Sequence, residues 1–599
     1  MVESERTEKG VRQRTIINLG TGFSLPREQW PELTSRIQQL LHGEALLFAL
    51  PPKIEEMAQN YAAQIIQAQG KTDEDKSDHR EVDIDSLELS RPRSIGCEHV
   101  ALEAFNFLKL GEHLKALGLN DPQIAAATGT LIGRMCNPGS ELATHYWLQN
   151  VSGLGELIGY DFNKLSLDRM YTCSDQLLKN KEAIENYLYL QEKQLFGFQE
   201  TITLYDLTNT YFEGQCEANE IGKFGHSKEK RYDCLLVTLA LMLDGSGFPK
   251  SSQVFKGNVS EAKTLKKMIK GLERKGRNPN IFEQQKATIV MDAGIASDDN
   301  IEWLKGNEYP YIVVSRKRHR EFDEDKAIVV KHAHDYTVKA EKVVDLENDE
   351  VLLYCHSTQR EKKERAINNR FTEKFEQALK HLEAGLHVKG RMKKYNKVLE
   401  KIGRLKQKYS KASKLYQIDI SKDAKSGNAV KISWTRKAEP ETKDEFPGVY
   451  CLRTSHKDFN EETLWRTYTM LTDLEAVFRS LKSELGMRPV FHQNTKRVTG
   501  HLFISVLAYH LVHSIRYRLK QVDITDSWSG LRKQLAGQNR ITASMHCRND
   551  DIVHIRKSTR PEPRQQRIYS ALEINSHPGA TVKRIIDKSS AITDKSKTE

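Results

Sequence analysis

The apolar periodicity of this 599-residue chain changes at residue 200, and that switch limits its architecture more than any other feature. Before it the spacing is helical. Leu33, Ile37, Leu40 and Leu41 mark one helix over 30–48, and a second spans 54–66 beyond Pro51-Pro52. From Glu98 to about Leu195 helices continue, broken by the turn Asn137-Pro138-Gly139. After the switch, Glu200 to Asp206 alternates apolar and polar residues, a strand predicted to end in a carboxylate. Residues 234–243 read as a buried strand, Asp244-Gly-Ser-Gly247 as a hairpin turn, and 248–255 as the partner strand. A helix over 262–275, a strand ending at Asp292, a helix over 297–305 and a strand over 311–315 follow. That order describes a mixed α/β domain behind an all-α region.

The α/β pattern is then interrupted. Residues 320–445 alternate short strand-like pieces with a long helical block, in which Phe371, Phe375, Leu379, Leu382 and Leu386 form one apolar stripe. The stripe is expected to face a core; a subunit interface is the alternative. Strand and helix patterns resume at 448–453 and from about 461, and an apolar helix covers 502–519. The expected division is 1–94, helices and a polar linker with a frayed start at 1–16; 95–198, all-α; 199–319 and 446–520, the two parts of the core; 320–445, a basic insertion; and 521–599, a basic C-terminal region and tail.

Composition narrows the class. With 38% hydrophobic and 29% charged residues the chain has material for cores and a solvated surface, which excludes disordered and collagen-like proteins. No run of about 18 apolar residues and no signal-peptide pattern is visible, so the expected location is the cytoplasm. Eight scattered cysteines with no CxxC pair argue against a disulfide framework or a structural zinc site. Residues 361–430 hold 19 Lys and Arg against 8 Asp and Glu, a balance of +11 that equals the whole chain's net charge. A basic segment so localised is the footprint of a polyanion, or else a lysine-rich helix surface. Lys393, Lys394 and Lys397 are its candidate phosphate contacts.

Three carboxylates stand out. Asp206 and Asp292 each follow a hydrophobic strand, where they can share a divalent cation or simply cap a turn. Glu475 lies on a helix whose apolar stripe is Leu471, Leu474, Phe478, Leu481 and Leu485. Beside that stripe, Tyr468, Glu475, Arg479 and Lys482 fall on one face, placing a carboxylate, two cations and a phenol together. Such a face suits a phosphodiester near a metal; a Glu–Arg pair on a surface helix is the bland alternative.

The segments Leu204-Tyr-Asp206-Leu-Thr-Asn-Thr-Tyr-Phe-Glu-Gly214, Ile289-Val-Met-Asp292-Ala-Gly294 and Glu475-Ala-Val-Phe-Arg479-Ser-Leu-Lys482 resemble the signature regions of bacterial insertion-sequence DDE transposases. The closest likeness is to the hairpin-forming cut-and-paste branch, with an RNase H-like core and a β-rich insertion. His226-Ser-Lys228 with Arg231 and Asp233, Val254-Phe-Lys-Gly257-Asn258 and Arg488-Pro-Val-Phe-His492 are similar to further family segments. The resemblance spans roughly 95–575, with 86 residues between the aspartates and 183 from Asp292 to the glutamate.

It implies an RNase H-like mixed sheet carrying Asp206, Asp292 and Glu475 as a triad for two Mg²⁺ ions, with Mn²⁺ able to substitute. It also implies Tyr468, Arg479, Lys482, Lys228 and Arg231 as DNA contacts, and an all-α domain of DNA-binding type over 95–198. Where the family signature has an arginine this chain has Leu471, and Arg479 on the same face is the candidate replacement. The implied partners are double-stranded DNA, as terminal inverted repeats and target, and a second copy of the chain in a homodimer. Such a protein would work in the bacterial cytoplasm at the nucleoid. Two alternatives remain: a silent DNA-binding derivative, and a metal-dependent nuclease of the same fold. No Walker-type phosphate loop occurs, and strand transfer needs no ATP because it conserves phosphodiester bonds.

Overall fold

In the computed structural model the described residues are 2–7, 10–15, 19, 23, 25–42, 50–68, 79–198, 201–214, 216, 219–227, 231–274, 286–315, 322–437 and 446–586. The organising element is a nine-stranded sheet. Across it the strands run Pro249–Lys256, Leu236–Asp244, Ile202–Tyr211, Thr288–Met291, Tyr311–Val314, Val449–Thr454, Glu350–Ser357, Thr337–Asp345 and Ile328–His332. Thr288–Met291 is parallel to both of its neighbours, and the remaining pairings are antiparallel. This is the mixed sheet of an RNase H-like core.

The two faces of the sheet bury different sets of side chains, as the twofold alternation of a strand requires. Tyr205, Met291 and Val313 pack with the helices Leu265–Arg274 and Asp298–Gly306. Leu204, Val290, Ile312 and Leu452 face the opposite way, into a larger core shared with the helical region and with Leu474, Val477 and Phe478. The helix Thr495–Lys520 runs through that core against Gly96–Phe107, Asp121–Cys136 and Leu167–Lys179. It is long and apolar enough to cross a membrane, but 89% of its apolar window is buried inside the protein. Its buried His510 contacts the buried Glu192 at 2.7 Å, tying it to the helix Lys181–Phe196.

Several elements differ from the sequence reading. The strand bearing Asp206 does not end there; it continues to Tyr211, paired with Leu236–Asp244. Its polar continuation Thr208-Asn-Thr210 resembles a turn, although two of those residues are β-branched and suit a strand. The strands of 328–357, expected in the insertion, extend the large sheet instead. The separate basic body begins with the helix Thr358–Leu386, continues through Tyr395–Lys408, and closes with the hairpin Tyr416–Lys422 and Ala429–Arg436. Phe375, Leu379 and Leu386 of the apolar stripe are buried in its own small core, while Phe371 is exposed.

The chain ends also depart from expectation. Glu88–Ser94 lies in the expected polar linker yet pairs with Asn539–His546, joining a four-stranded sheet with Ile552–Ser558 and Val582–Ile586. Residues 1–16, expected to fray, contain the hairpin Val2–Thr7 and Gly10–Thr15. Its alternate positions are mostly charged or polar, so no hydrophobic period marks it as a strand.

Candidate active site

The parallel pairing of Ile202–Tyr211 with Thr288–Met291 ends at Tyr205 opposite Met291. Asp206 and Asp292 are the next residues on each strand, at the carboxyl edge of the parallel strands, where ligands of α/β sheets bind. Alternation directs both toward the face that holds Leu204 and Val290. Each carboxylate accepts a hydrogen bond from the next backbone N–H, Asp206 from Leu207 and Asp292 from Ala293, both at 2.7 Å. The chain turns beyond Asp292 at Gly294, which the end of the Glu261 side chain approaches closely. An added Cβ would collide with Oε2 of Glu261.

The third carboxylate comes from above the same face. The helix Leu471–Arg479 packs on Ile202–Tyr211 through Leu474, Val477 and Phe478, leaving Glu475 exposed. The helix expected from about 461 onward is interrupted: Glu461–Thr469 ends before Met470, and Ser480–Glu484 forms a π-helical turn, a feature frequent at functional sites. Leu471, where the family signature has its arginine, is half-buried against the core. The π turn sends Lys482 to the same cleft as Glu475 and Arg479. That open cleft of ≈ 310 Å³ is lined by Asp206, Thr208, Glu475, Arg479, Lys482 and Arg488, among others. Arg488 and Thr208 were not among the candidate site residues, although Arg488 stands in one of the family-like segments.

Tyr468, on the preceding helix Glu461–Thr469, is not part of the cleft lining. Burial pushes its phenol up to about 12, reinforced by the negative charges of Asp292 and Glu475. Its hydroxyl therefore keeps its proton near neutrality and can donate to a phosphate oxygen. Asp206 and Glu475 line the cleft and Asp292 stands one strand over from Asp206, so the three carboxylates lie along one edge of the sheet, with their oxygens not all within 4.8 Å of one another. A family model described as the transposase DDE domain matches residues 197–511. The chain belongs to that family. No curated protein shows a significant match to it. The matched span of this DDE transposase begins just before the strand of Asp206 and ends inside the buried helix Thr495–Lys520.

The other expected contacts lie apart. Arg231 makes two hydrogen bonds to Asp233, at 2.8 and 2.9 Å, and its guanidinium lies 4.5 Å from the Tyr211 ring centre, outside the cleft lining. Lys228 lies outside the described residues. Lys393, Lys394 and Lys397 sit in the basic body at the start of Tyr395–Lys408, with Lys394 and Lys397 exposed. The Lys393 carbonyl accepts from Ala429 N–H at 2.7 Å, fastening that helix start to the hairpin.

Glu141, His492 and His501 also bring ligand-type atoms within 4.8 Å of one another. Their surroundings do not suit a cation. Nδ1 of His501 faces the Arg134 guanidinium at 3.2 Å, and its Nε2 faces the Met487 carbonyl at 3.3 Å. Burial and the positive charge of Arg134 hold His501 neutral, far below its ordinary range. Glu141 instead contacts His492 at 3.0 Å, and Arg134 donates to the Gly486 carbonyl at 3.1 Å. The cluster thus clasps the chain leaving Lys482 to the helical region. Gly486, in the left-handed region at φ +58°, makes the turn there against Pro138.

Proposed function

We propose that this chain is the transposase of an insertion sequence, which binds terminal inverted repeats in double-stranded DNA, cuts a strand beside them and joins the freed end to target DNA. The observation that supports the reading is the placement of Asp206, Asp292 and Glu475 along one sheet edge, with a cleft there lined by Arg479, Lys482 and Arg488. Three carboxylates are the hard-oxygen donor set that Mg²⁺ or Mn²⁺ prefers. When bound there, such ions stabilise charge on the attacking and leaving oxygens of a phosphodiester. The protein's own part is to hold the strand. Arg479, Lys482 and Arg488 bind its phosphates, and the protonated Tyr468 donates a hydrogen bond from the helix Glu461–Thr469.

The basic body of 358–436 supports a second, sequence-independent grip on DNA through Lys393, Lys394 and Lys397. Family likeness supports a homodimer on the DNA and work at the nucleoid of a bacterial cell, with a hairpin intermediate on the transposon end. The test is cleavage of a labelled duplex bearing the element's terminal repeat, in Mg²⁺ and in EDTA. Asp206→Ala, Asp292→Ala and Glu475→Gln should each bind the duplex and fail to cut it. Binding without cutting by the wild type, in Mg²⁺ and Mn²⁺ alike, would make it a silent DNA-binding derivative. Cutting without joining would make it a nuclease.

A further inference from the structure

The strand Glu350–Ser357 pairs with Val449–Thr454 so that Cys355 opposes Tyr450. Ser357 then caps the helix Thr358–Leu386, and Arg360 falls in its first turn. The Arg360 guanidinium lies 5.0 Å from the ring centre of Tyr450, and that ring lies 6.3 Å from the ring of Tyr468. The Tyr450 hydroxyl accepts from the Trp465 indole N–H at 2.8 Å, which fixes the platform. Tyr450 belongs to the core on the Leu204 and Val290 face, the face toward which the aspartates are directed.

The location follows from the register. Asp292 is level with Val314 and Leu452, because Met291 opposes Val313 and Val313 opposes Arg453. Tyr450 is therefore two strands across from Asp292, roughly 10 Å, and two residues farther out beyond the carboxyl edge. Arg360 is exposed, and among the described residues the hydrogen bonding of its guanidinium is confined to Nε, which donates to Glu364 at 2.9 Å. Glu364 also accepts from Gly448 N–H at 2.9 Å. Among the described residues neither terminal NH₂ group of Arg360 has a hydrogen-bond partner, which leaves the rigid fork that matches phosphate. The positive charge of Arg360 also acts on the Tyr468 phenol, opposing the carboxylates.

We infer that Arg360 binds a backbone phosphate of the strand that crosses Tyr468, a few nucleotides from the bond to be cut. The helix that opens the basic body thereby contributes a substrate-binding residue to the catalytic cleft. The inference rests on the reading of that cleft as the place where DNA is cut.

The experiment is a chemical double-mutant cycle in binding, read in Ca²⁺ with the full-length protein. The probes are fluorescent duplexes from the DNA bordering the coding sequence, each with one neutral methylphosphonate stepped along the strand near the element's end. Wild type should lose about 5-fold or more at one or two adjacent positions, where Arg360→Ala shows no further loss. Arg360→Lys, which keeps the charge without the fork, should recover part of the coupling. Additive losses at every position, or coupling found only far inside the repeat, would overturn it. Binding reports the contact whether or not the protein cuts. The cleft reading fails separately, if Glu475→Gln cleaves like the wild type.

Discussion

Asp206 and Asp292 occupy matching positions on neighbouring parallel strands, each one residue beyond the Tyr205–Met291 pair. Strands in a sheet lie about 4.8 Å apart. Two like charges at that separation oppose folding in the absence of metal. Asp292→Asn is therefore expected to raise the Tm in EDTA by up to about 1 °C, since opposed like charges cost at most about 1 kcal/mol and the unfolding entropy grows with the 599-residue chain. Mg²⁺ should raise the Tm of the wild type and leave that of the variant unchanged. Thermal unfolding with and without the ion checks both statements, and a variant destabilised in EDTA would contradict the repulsion.

Gly294→Ala tests the support behind Asp292. An added Cβ meets Oε2 of Glu261, the far end of a flexible side chain, which can swing aside while the turn carrying Asp292 keeps its place. Only a displacement of about 1 Å at a reacting centre costs on the order of 100-fold in rate. We expect cleavage to stay well within that loss, with the circular dichroism spectrum retained. A large loss that Glu261→Ala in the same chain reverses would show instead that the turn moves.

Charge reversal of Lys393, Lys394 and Lys397 together tests the basic body. Every lysine lost from a phosphate lowers the slope of log affinity against log salt by about 0.9. Three contacts therefore correspond to a fall of about 2.7 in the slope. Titrations at several salt concentrations read this directly, and an unchanged slope removes these lysines from the DNA interface.

Acid should weaken the chain at His554. Burial holds its imidazole at about 4, below the ordinary 6.5. Its ring nitrogens face Ser544 Oγ and the Leu41 carbonyl, both at 2.7 Å. A histidine depressed in the folded state is protonated mainly on unfolding between those values. Its contribution is complete above pH 6.5 and is lost as pH falls toward 4. Between pH 7 and pH 5 this one site should cost about 2 kcal/mol. Denaturant titrations of wild type and His554→Gln across that window should converge as the pH falls.

Local pattern carried much of this protein. The period change at residue 200 separated helices from strands, because burying one face of a helix or strand imposes its own spacing on the sequence. Leu474, Phe478, Leu481 and Leu485 are buried as their spacing required, which left Glu475 and Arg479 outward. Where both faces carry polar residues, as in 1–16, or where a strand continues through Thr208-Asn-Thr210, local pattern had no contrast to offer.

Tertiary structure decided whatever depends on chain segments far apart. The sequence places Asp206 and Asp292 after hydrophobic stretches, but only strand register sets them side by side. It shows Lys482 at helical spacing from Glu475, but a π turn and the clasp of Arg134, Glu141 and His492 determine the path of the chain beyond it. The pairing of Glu88–Ser94 with Asn539–His546 and the stacking of Arg360 on Tyr450 leave no periodic trace. The physical reason is one of range. Amphipathic spacing records which face of an element is buried, whereas the identity of the element across the interface is set by the packing of the whole core.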